Sequence, residues 1–381
     1  MTSSSRRHSS LVARFASVAL LGTFCFAITT VALADEERLP QFLKKVTLHN
    51  VGGVEPTADG LAVMLYRVPK SVRDRLTEPN KQSQKTGADT MRQARHSEIR
   101  FVLNEGEKPE DIRLHLQAES PTSITFYWGD IYSGHRRLQA GGNAKPFGIT
   151  GHGLMYSMMD KYPQGRFANR VCRVIVDGAE VSFHGIEGDV RPPKPDELAP
   201  IMISYGTSIS QGYNASRPDL QWNSLTARML GHDLINLGSS GTAFSEPAMA
   251  DYMAAQPWEM AVLEISVNMV GNFDTPEFKK RATYLVNSLA KSHPDAPIFC
   301  ISIFPWGIGH YWGGDPNRKT KEFREVLRQI VERSGYKNVH YVHGPDLLSF
   351  SGLYHDMLHP SDMGMIEIAT KLTQQIKTKL Q

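Results

Sequence analysis

The chain has 381 residues, which favours two domains or one large α/β unit, and 41% hydrophobic against 21% charged residues excludes a disordered chain. Three cysteines are too few for a disulfide scaffold. The formal charge is +3, but the first 34 residues hold three arginines and no acid, so residues 35–381 carry 39 basic against 39 acidic side chains and do not suit a basic nucleic-acid binder.

Residues 1–34 read as a targeting segment to be set aside from the fold: a basic start (Arg6, Arg7, Arg14), an apolar run from Phe15 to Ile28, and Ala32-Leu33-Ala34 as a small-residue cleavage pattern before Asp35. The run is shorter than the roughly 20 residues of a spanning helix. Ser5-Arg6-Arg7 hints at twin-arginine export, and Phe24 before Cys25 does not suit a lipoprotein site. The expectation is an exported protein, periplasmic or extracellular, with no stable membrane span after cleavage. Cys172 and Cys300 then remain, one in each half, and read as free buried thiols.

From about Lys44 to Gly188 apolar residues alternate: Ile99, Phe101, Leu103; Ile112, Leu114, Leu116; Ile124, Phe126, Trp128; then Val171 to Val176 and Val181 to Ile186. Period two means strands with one wet face, so residues 35–190 are expected to form an all-β sandwich or jelly-roll domain. Pro69 to His96 is polar and reads as a long surface loop. Residues 191–200, with Pro192, Pro193 and Pro195, read as a semi-rigid linker.

Residues 201–381 change period. Short apolar runs (Ile201 to Tyr205, Leu234 to Leu237, Met260 to Ile265, Ile298 to Ile303, Val339 to Val342) alternate with helical stripes. One helix is capped at Thr275 and carries Phe278, Ala282, Leu285, Val286 and Leu289; another carries Phe323, Val326, Leu327, Ile330 and Val331; the last carries Ile366, Ala369, Leu372 and Ile376. This predicts βαβ units around a parallel sheet, a three-layer α/β/α domain.

Ligands of such sheets bind at the carboxyl ends of the strands. Those ends offer Ser208 in Gly206-Thr207-Ser208-Ile209, Gly241 after Asn236-Leu237-Gly238-Ser239-Ser240, Asn268 in Val267-Asn268-Met269, and Asp356-Met357-Leu358-His359-Pro360. A hydroxyl, an imidazole three residues after a carboxylate, and donors for an oxyanion make an ester-hydrolysing inventory. Ser208 is the candidate nucleophile, His359 its base, Asp356 the orienting carboxylate, and the N–H groups of Ser208 and Gly241 with the Asn268 amide the oxyanion donors. Pro360 is expected to open the final helix, and Ser239 and Ser240 read as structural.

These four segments, in this order, resemble blocks I, II, III and V of the SGNH hydrolases, also called the GDSL lipase/acylhydrolase superfamily, over about Pro200 to Gln381. The resemblance implies a flavodoxin-like α/β/α fold and ester hydrolysis. Thr207 stands where that family usually has Asp, and of its third block only Asn268 carries over. Tyr127-Trp128-Gly129-Asp130-Ile131-Tyr132 lies near a signature of the β-sandwich domain that precedes one branch, and the arrangement resembles carbohydrate esterases that remove acetyl groups from plant polysaccharides.

Other readings compete. His355-Asp356-Met357-Leu358-His359 copies a zinc helix motif, but Gly352 and Pro360 argue for a loop. No glycine stretch has phosphate-loop spacing, and His340 and His343 read as packing or rim residues. Trp306, His310, Tyr311 and Trp312 offer an aromatic wall for a sugar ring, with Trp306, Tyr311 and Trp312 as substrate-binding candidates. The sequence thus reads as an exported serine esterase for short acyl esters such as O-acetyl groups on a polysaccharide or oligosaccharide, needing no metal or cofactor. A non-catalytic glycan-binding protein with a degenerate hydrolase domain, and an acyltransferase using the same triad, are the alternatives; oligomeric state is not readable.

Overall fold

A computed structural model of the chain describes residues 39–141, 146–149, 153–311 and 314–381. The targeting segment therefore lies outside the described residues. In chain order the strands are β1 Thr47–His49, β2 Glu55–Pro56, β3 Val63–Met64, β4 Arg95–Leu103, β5 Arg113–Ala118, β6 Thr122–Trp128, β7 Ile131–Leu138, β8 Pro146–Gly148, β9 Val171–Asp177, β10 Val181–Glu187 and β11 Val190–Arg191, then β12 Ile201–Tyr205, β13 Asp233–Asn236, β14 Met260–Glu264, β15 Ile298–Ile301 and β16 Val339–Val342.

The first eleven form two antiparallel sheets, β1-β4-β9-β6-β7 with β11 beside β4, and β2-β3-β10-β5-β8. The alternating residues Ile99, Phe101, Leu114, Leu116, Ile124, Phe126, Val174 and Phe183 meet in one apolar core, so the expected β-sandwich character holds. The last five form a parallel sheet of order β13-β12-β14-β15-β16. Successive residues of its strands feed two different cores. Ile203, Leu263 and Cys300 join the helices Pro247–Ala254, Thr275–Ser292 and Gly314–Arg333. Met202, Val262 and Phe299 join Trp222–Leu230 and Asp362–Lys379. A strand apolar on both faces needs a layer of helices on each side, which is the α/β/α arrangement the runs predicted.

Several local expectations are corrected. The cap of the helix Thr275–Ser292 is Asp274, whose carboxylate accepts the Glu277 N–H, and Thr275 is its first residue. The final helix is capped by Ser361, with Pro360 just outside and paired to Leu353. Its buried stripe is Met365, Ile368, Ala369, Leu372 and Ile376, while Ile366 is exposed. Cys172 and Cys300 are free and buried.

The largest correction concerns residues 69–96. This stretch is not a bland surface loop: it contains the short helices Lys70–Arg73 and Gly87–Met91. Val68, Val72, Leu76 and Met91 enter the core shared with the parallel sheet. At about 1.5–3 kcal/mol for each fully buried aliphatic side chain, that anchoring outweighs the polar composition of the residues between them.

Polar groups also cross between the antiparallel and parallel parts. Arg100 on β4 forms a bidentate pair with Asp233 at the start of β13 (2.6 and 2.8 Å) and also bonds Glu98, which Arg173 of β9 grips as well. Burial pushes the carboxyls of Glu98 and Asp233 up, but Arg100, joined by Arg173 at Glu98 and by His49 at Asp233, outweighs this and holds both below their ordinary values, Glu98 well below. The fully buried Arg67 donates to the carbonyls of Thr90, Gln93, Asn236 and Gly238, clamping the loop after β13.

Because both carboxyls are depressed in the folded state, the stability they contribute is present at neutral pH and fades as pH falls through and below the ordinary carboxylate range. Arg100→Met leaves two buried carboxylates short of a counter-charge and is expected to cost about 3–5 kcal/mol at pH 7. Urea unfolding followed by tryptophan fluorescence checks this, and the gap between wild type and variant should narrow below about pH 4.

Candidate active site

Parallel strands discharge their following loops at one rim, so the four singled-out segments are neighbours there. Ser208 is the first residue of a single helical turn, Ser208–Gln211, after β12, and the Thr207 hydroxyl caps it by accepting the Ile209 N–H. Starting a helix at Ser208 leaves its own N–H without an intrahelical partner. Ser204, Gly206 and Gln211 tie this turn to the next loop: Leu237 N–H donates to the Ser204 carbonyl, Ser239 N–H to the Gly206 carbonyl, and the Gln211 side chain accepts the Ser240 N–H. Gly238 sits so close to Gln211 that a Cβ there would lie 2.3 Å from the Gln211 nitrogen, so this contact requires glycine.

His359 arrives from the loop before the last helix. Its Nε2 lies 2.7 Å from the Ser208 hydroxyl and its Nδ1 lies 2.7 Å from Asp356. An ionised carboxylate only accepts, so Nδ1 carries the proton and the Nε2 lone pair faces the hydroxyl. Asp356 also accepts the backbone N–H groups of Leu358 and His359 and the Asn214 amide at 3.1 Å. Partial burial acts to raise the Asp356 pKa, but the bonds from the His359 backbone and ring and from Leu358 prevail and hold it below the ordinary range. Met357 takes a left-handed backbone (φ +59°) that closes this tight loop. Residues 355–359 are turn and bend, not helix, so His355 and His359 do not share the helical face that the zinc motif needs. His355 is exposed and lies against the Tyr354 ring.

Gly241 has φ +77°, and neither its N–H nor that of Ser208 enters a hydrogen bond among the described residues. Asn268 lies in the turn Val267–Met269 after β14, and its side-chain oxygen accepts the Ala243 N–H at 3.3 Å, so its NH₂ end is turned away from that bond. Both positions are held from the front half of the chain. The Asn80 amide donates to the Gly241 carbonyl (2.7 Å); Lys81 N–H donates to Asn272 (2.8 Å), which in turn donates to the Asn268 carbonyl (2.6 Å). Sequence reasoning missed Asn80 because a polar residue in a polar stretch carries no periodic signal.

Of the aromatic wall, Trp306 is half-buried, donates to the Thr320 hydroxyl and packs against the core, so it anchors its loop. Trp312 and the side chains of His310 and Tyr311 lie outside the described residues. An exposed ring stands beside the histidine: Tyr213 lies 4.5 Å from the His359 ring, while the Tyr354 backbone N–H donates to the His359 carbonyl. Tyr213 follows the left-handed Gly212 that ends the Ser208 turn, a position legible only once that turn is seen.

Residues 199–377 match the model of the GDSL-like Lipase/Acylhydrolase family. The match is confined to the C-terminal part of the chain. Among solved structures, the chain is similar to a salicylyl-acyltransferase, SsfX3, from a tetracycline biosynthetic pathway (16% identity, TM-score 0.66, covering 88% of this chain and 94% of that one). A family two carbohydrate esterase from Cellvibrio japonicus matches at 11% identity and TM-score 0.57 over 88% of this chain and 95% of that one. Another from Clostridium thermocellum, in complex with cellohexaose, matches at 18% and 0.54 over 75% and 93%. At these identities the likeness shows the fold. No curated protein matches.

Cutting the tie from the front half should disturb this site without unfolding the chain, since residues 81–85 that follow Asn80 form an exposed loop. Asn80→Ala is expected to lower kcat on an aryl ester by about tenfold at unchanged KM, a fraction of the 10²–10³ seen on removing an oxyanion donor outright. Steady-state kinetics on the full chain checks it.

Proposed function

We propose that the protein is an exported serine esterase that removes short acyl groups, O-acetyl above all, from a carbohydrate. The observation that carries the reading is the unbroken chain of hydrogen bonds from Ser208 through His359 to Asp356.

In this reading the Ser208 oxygen attacks the ester carbonyl as its proton passes to His359 Nε2, and the ionised Asp356 stabilises the resulting imidazolium. The carbonyl oxygen, now anionic, takes hydrogen bonds from the Ser208 and Gly241 N–H groups and the Asn268 amide. Collapse of the tetrahedral adduct breaks the bond to the alcohol, which leaves with the proton from His359. Water then attacks the acyl-enzyme with the same histidine as base, returning free Ser208 and a carboxylic acid. The bonds that keep Asp356 ionised matter here, because a protonated carboxyl would no longer fix the histidine tautomer.

The carbohydrate part rests on the exposed Tyr213 ring beside His359, which suits a sugar face, and on one fold neighbour solved with cellohexaose. Export rests on residues 1–34 alone.

Turnover of p-nitrophenyl acetate should fall about 10⁴-fold or more in Ser208→Ala, and about 10³- to 10⁴-fold in Asp356→Asn, which invites the wrong tautomer. Equal rates in wild type and Ser208→Ala would remove the esterase reading. Acetate release from acetylated oligosaccharides, with competing sugar acceptors in the same assay, tests the substrate class and separates hydrolysis from transfer.

A further inference from the structure

A carboxyl that the proposed reaction does not use lies against the turn that carries Ser208. Glu264, the last residue of β14, is fully buried. One of its oxygens, Oε2, accepts three donors: Thr207 N–H at 2.6 Å, the Thr207 hydroxyl at 2.7 Å and the Ser210 hydroxyl at 3.1 Å. The other, Oε1, is buried with no hydrogen-bond partner among the described residues. Residues on both sides of the nucleophile are therefore tied to one atom. Gly206 completes the arrangement, because a Cβ at that position would stand 2.6 Å from Oε2 and 2.2 Å from the Ser210 hydroxyl oxygen.

We propose that Glu264 is the positioning residue for Ser208, fixing through Thr207 and Ser210 the direction in which the nucleophile leaves the strand-to-helix turn. The proposal rests on Ser208 being the nucleophile. An apolar side chain of similar volume would fill this space without burying a half-satisfied carboxyl, a costly thing to bury. It would also leave the Thr207 N–H and two hydroxyls facing no acceptor. With them would go the restraint on the cap residue, and Ser208 would be free to swing from a hydrogen bond that must stay near 2.7 Å to His359. Burial pushes the Glu264 carboxyl up to about 7, so much of it is protonated near neutrality, and a neutral acceptor oxygen is what the three donors then meet. An amide oxygen has the same shape and capacity, whereas a methyl group has neither.

This gives a contrast that a purely structural role does not. In the full-length chain, Glu264→Ala is expected to lose about 10- to 100-fold in kcat with KM within about twofold, in line with the cost of misplacing a reacting group by about 1 Å. Glu264→Gln is expected to stay within about threefold of wild type. Crystal structures of the two variants should show the Ser208 hydroxyl withdrawn from His359 in the first and retained in the second. If Glu264→Ala does not fold, Thr207→Val removes one of the donated hydrogens and is expected to lower kcat about 3- to 10-fold at unchanged KM. Wild-type kcat in Glu264→Ala, an equal loss in Gln and Ala, or wild-type kcat in Thr207→Val would each overturn the proposal. A wild type with no Ser208-dependent turnover would sink the esterase reading instead, and the position of Ser208 in the crystal structures of whichever variants fold, compared with wild type, would then decide the role of Glu264.

Discussion

A parallel sheet covered by helices on both faces leaves only its two ends open, and that constraint organises everything else in this protein. Every strand of β12 to β16 runs the same way, so every loop that follows a strand reaches the same end. Residues 151 positions apart, Ser208 and His359, become hydrogen-bonded neighbours without any long excursion of the chain. The chemistry is then a matter of which side chains occupy those loops and how firmly each is held.

Firmness comes from polar groups placed where mobility would otherwise be expected. The loop after β13 is gripped by the carbonyl bonds of Arg67 and by Asn80, both from the front half of the chain. Further back, the Arg100–Asp233 pair joins β4 to the start of β13. Buried ion pairs are poor sources of net stability compared with well-packed apolar groups, but they tolerate few alternative alignments. Their value at this seam is registration: the antiparallel sheets are fixed to the strand whose following loop carries Gly241. The front half is thus structurally continuous with the site it precedes in sequence.

Much of the fold and of the candidate site is legible in the sequence alone. Strand runs such as Ile201 to Tyr205 and Val339 to Val342 coincide with β12 and β16, because short apolar runs set between helical stripes mark the strands of a parallel sheet. Ser208, Asp356 and His359 stand out because a nucleophile, a base and an orienting acid must each sit just past a strand or before a helix. The Ile366 stripe falls one step off because a helix face read from a few large residues is ambiguous by about a residue, and Met365 is the one that packs. Asn80, Arg67 and Glu264 are not legible. Their partners are backbone groups or hydroxyls far away in the chain, and a single polar residue in a loop, or a single acid at the end of an apolar run, leaves no periodic trace.

The central claim is that Ser208 is a nucleophile activated by His359. The most direct measurement is mass spectrometric mapping of the intact chain after exposure to an activated alkyl phosphonate ester, in wild type and in His359→Ala. The account predicts one stoichiometric adduct on the peptide containing Ser208 in the wild type and labelling slowed by orders of magnitude in the variant. An adduct elsewhere, or equal labelling of both proteins, would contradict it.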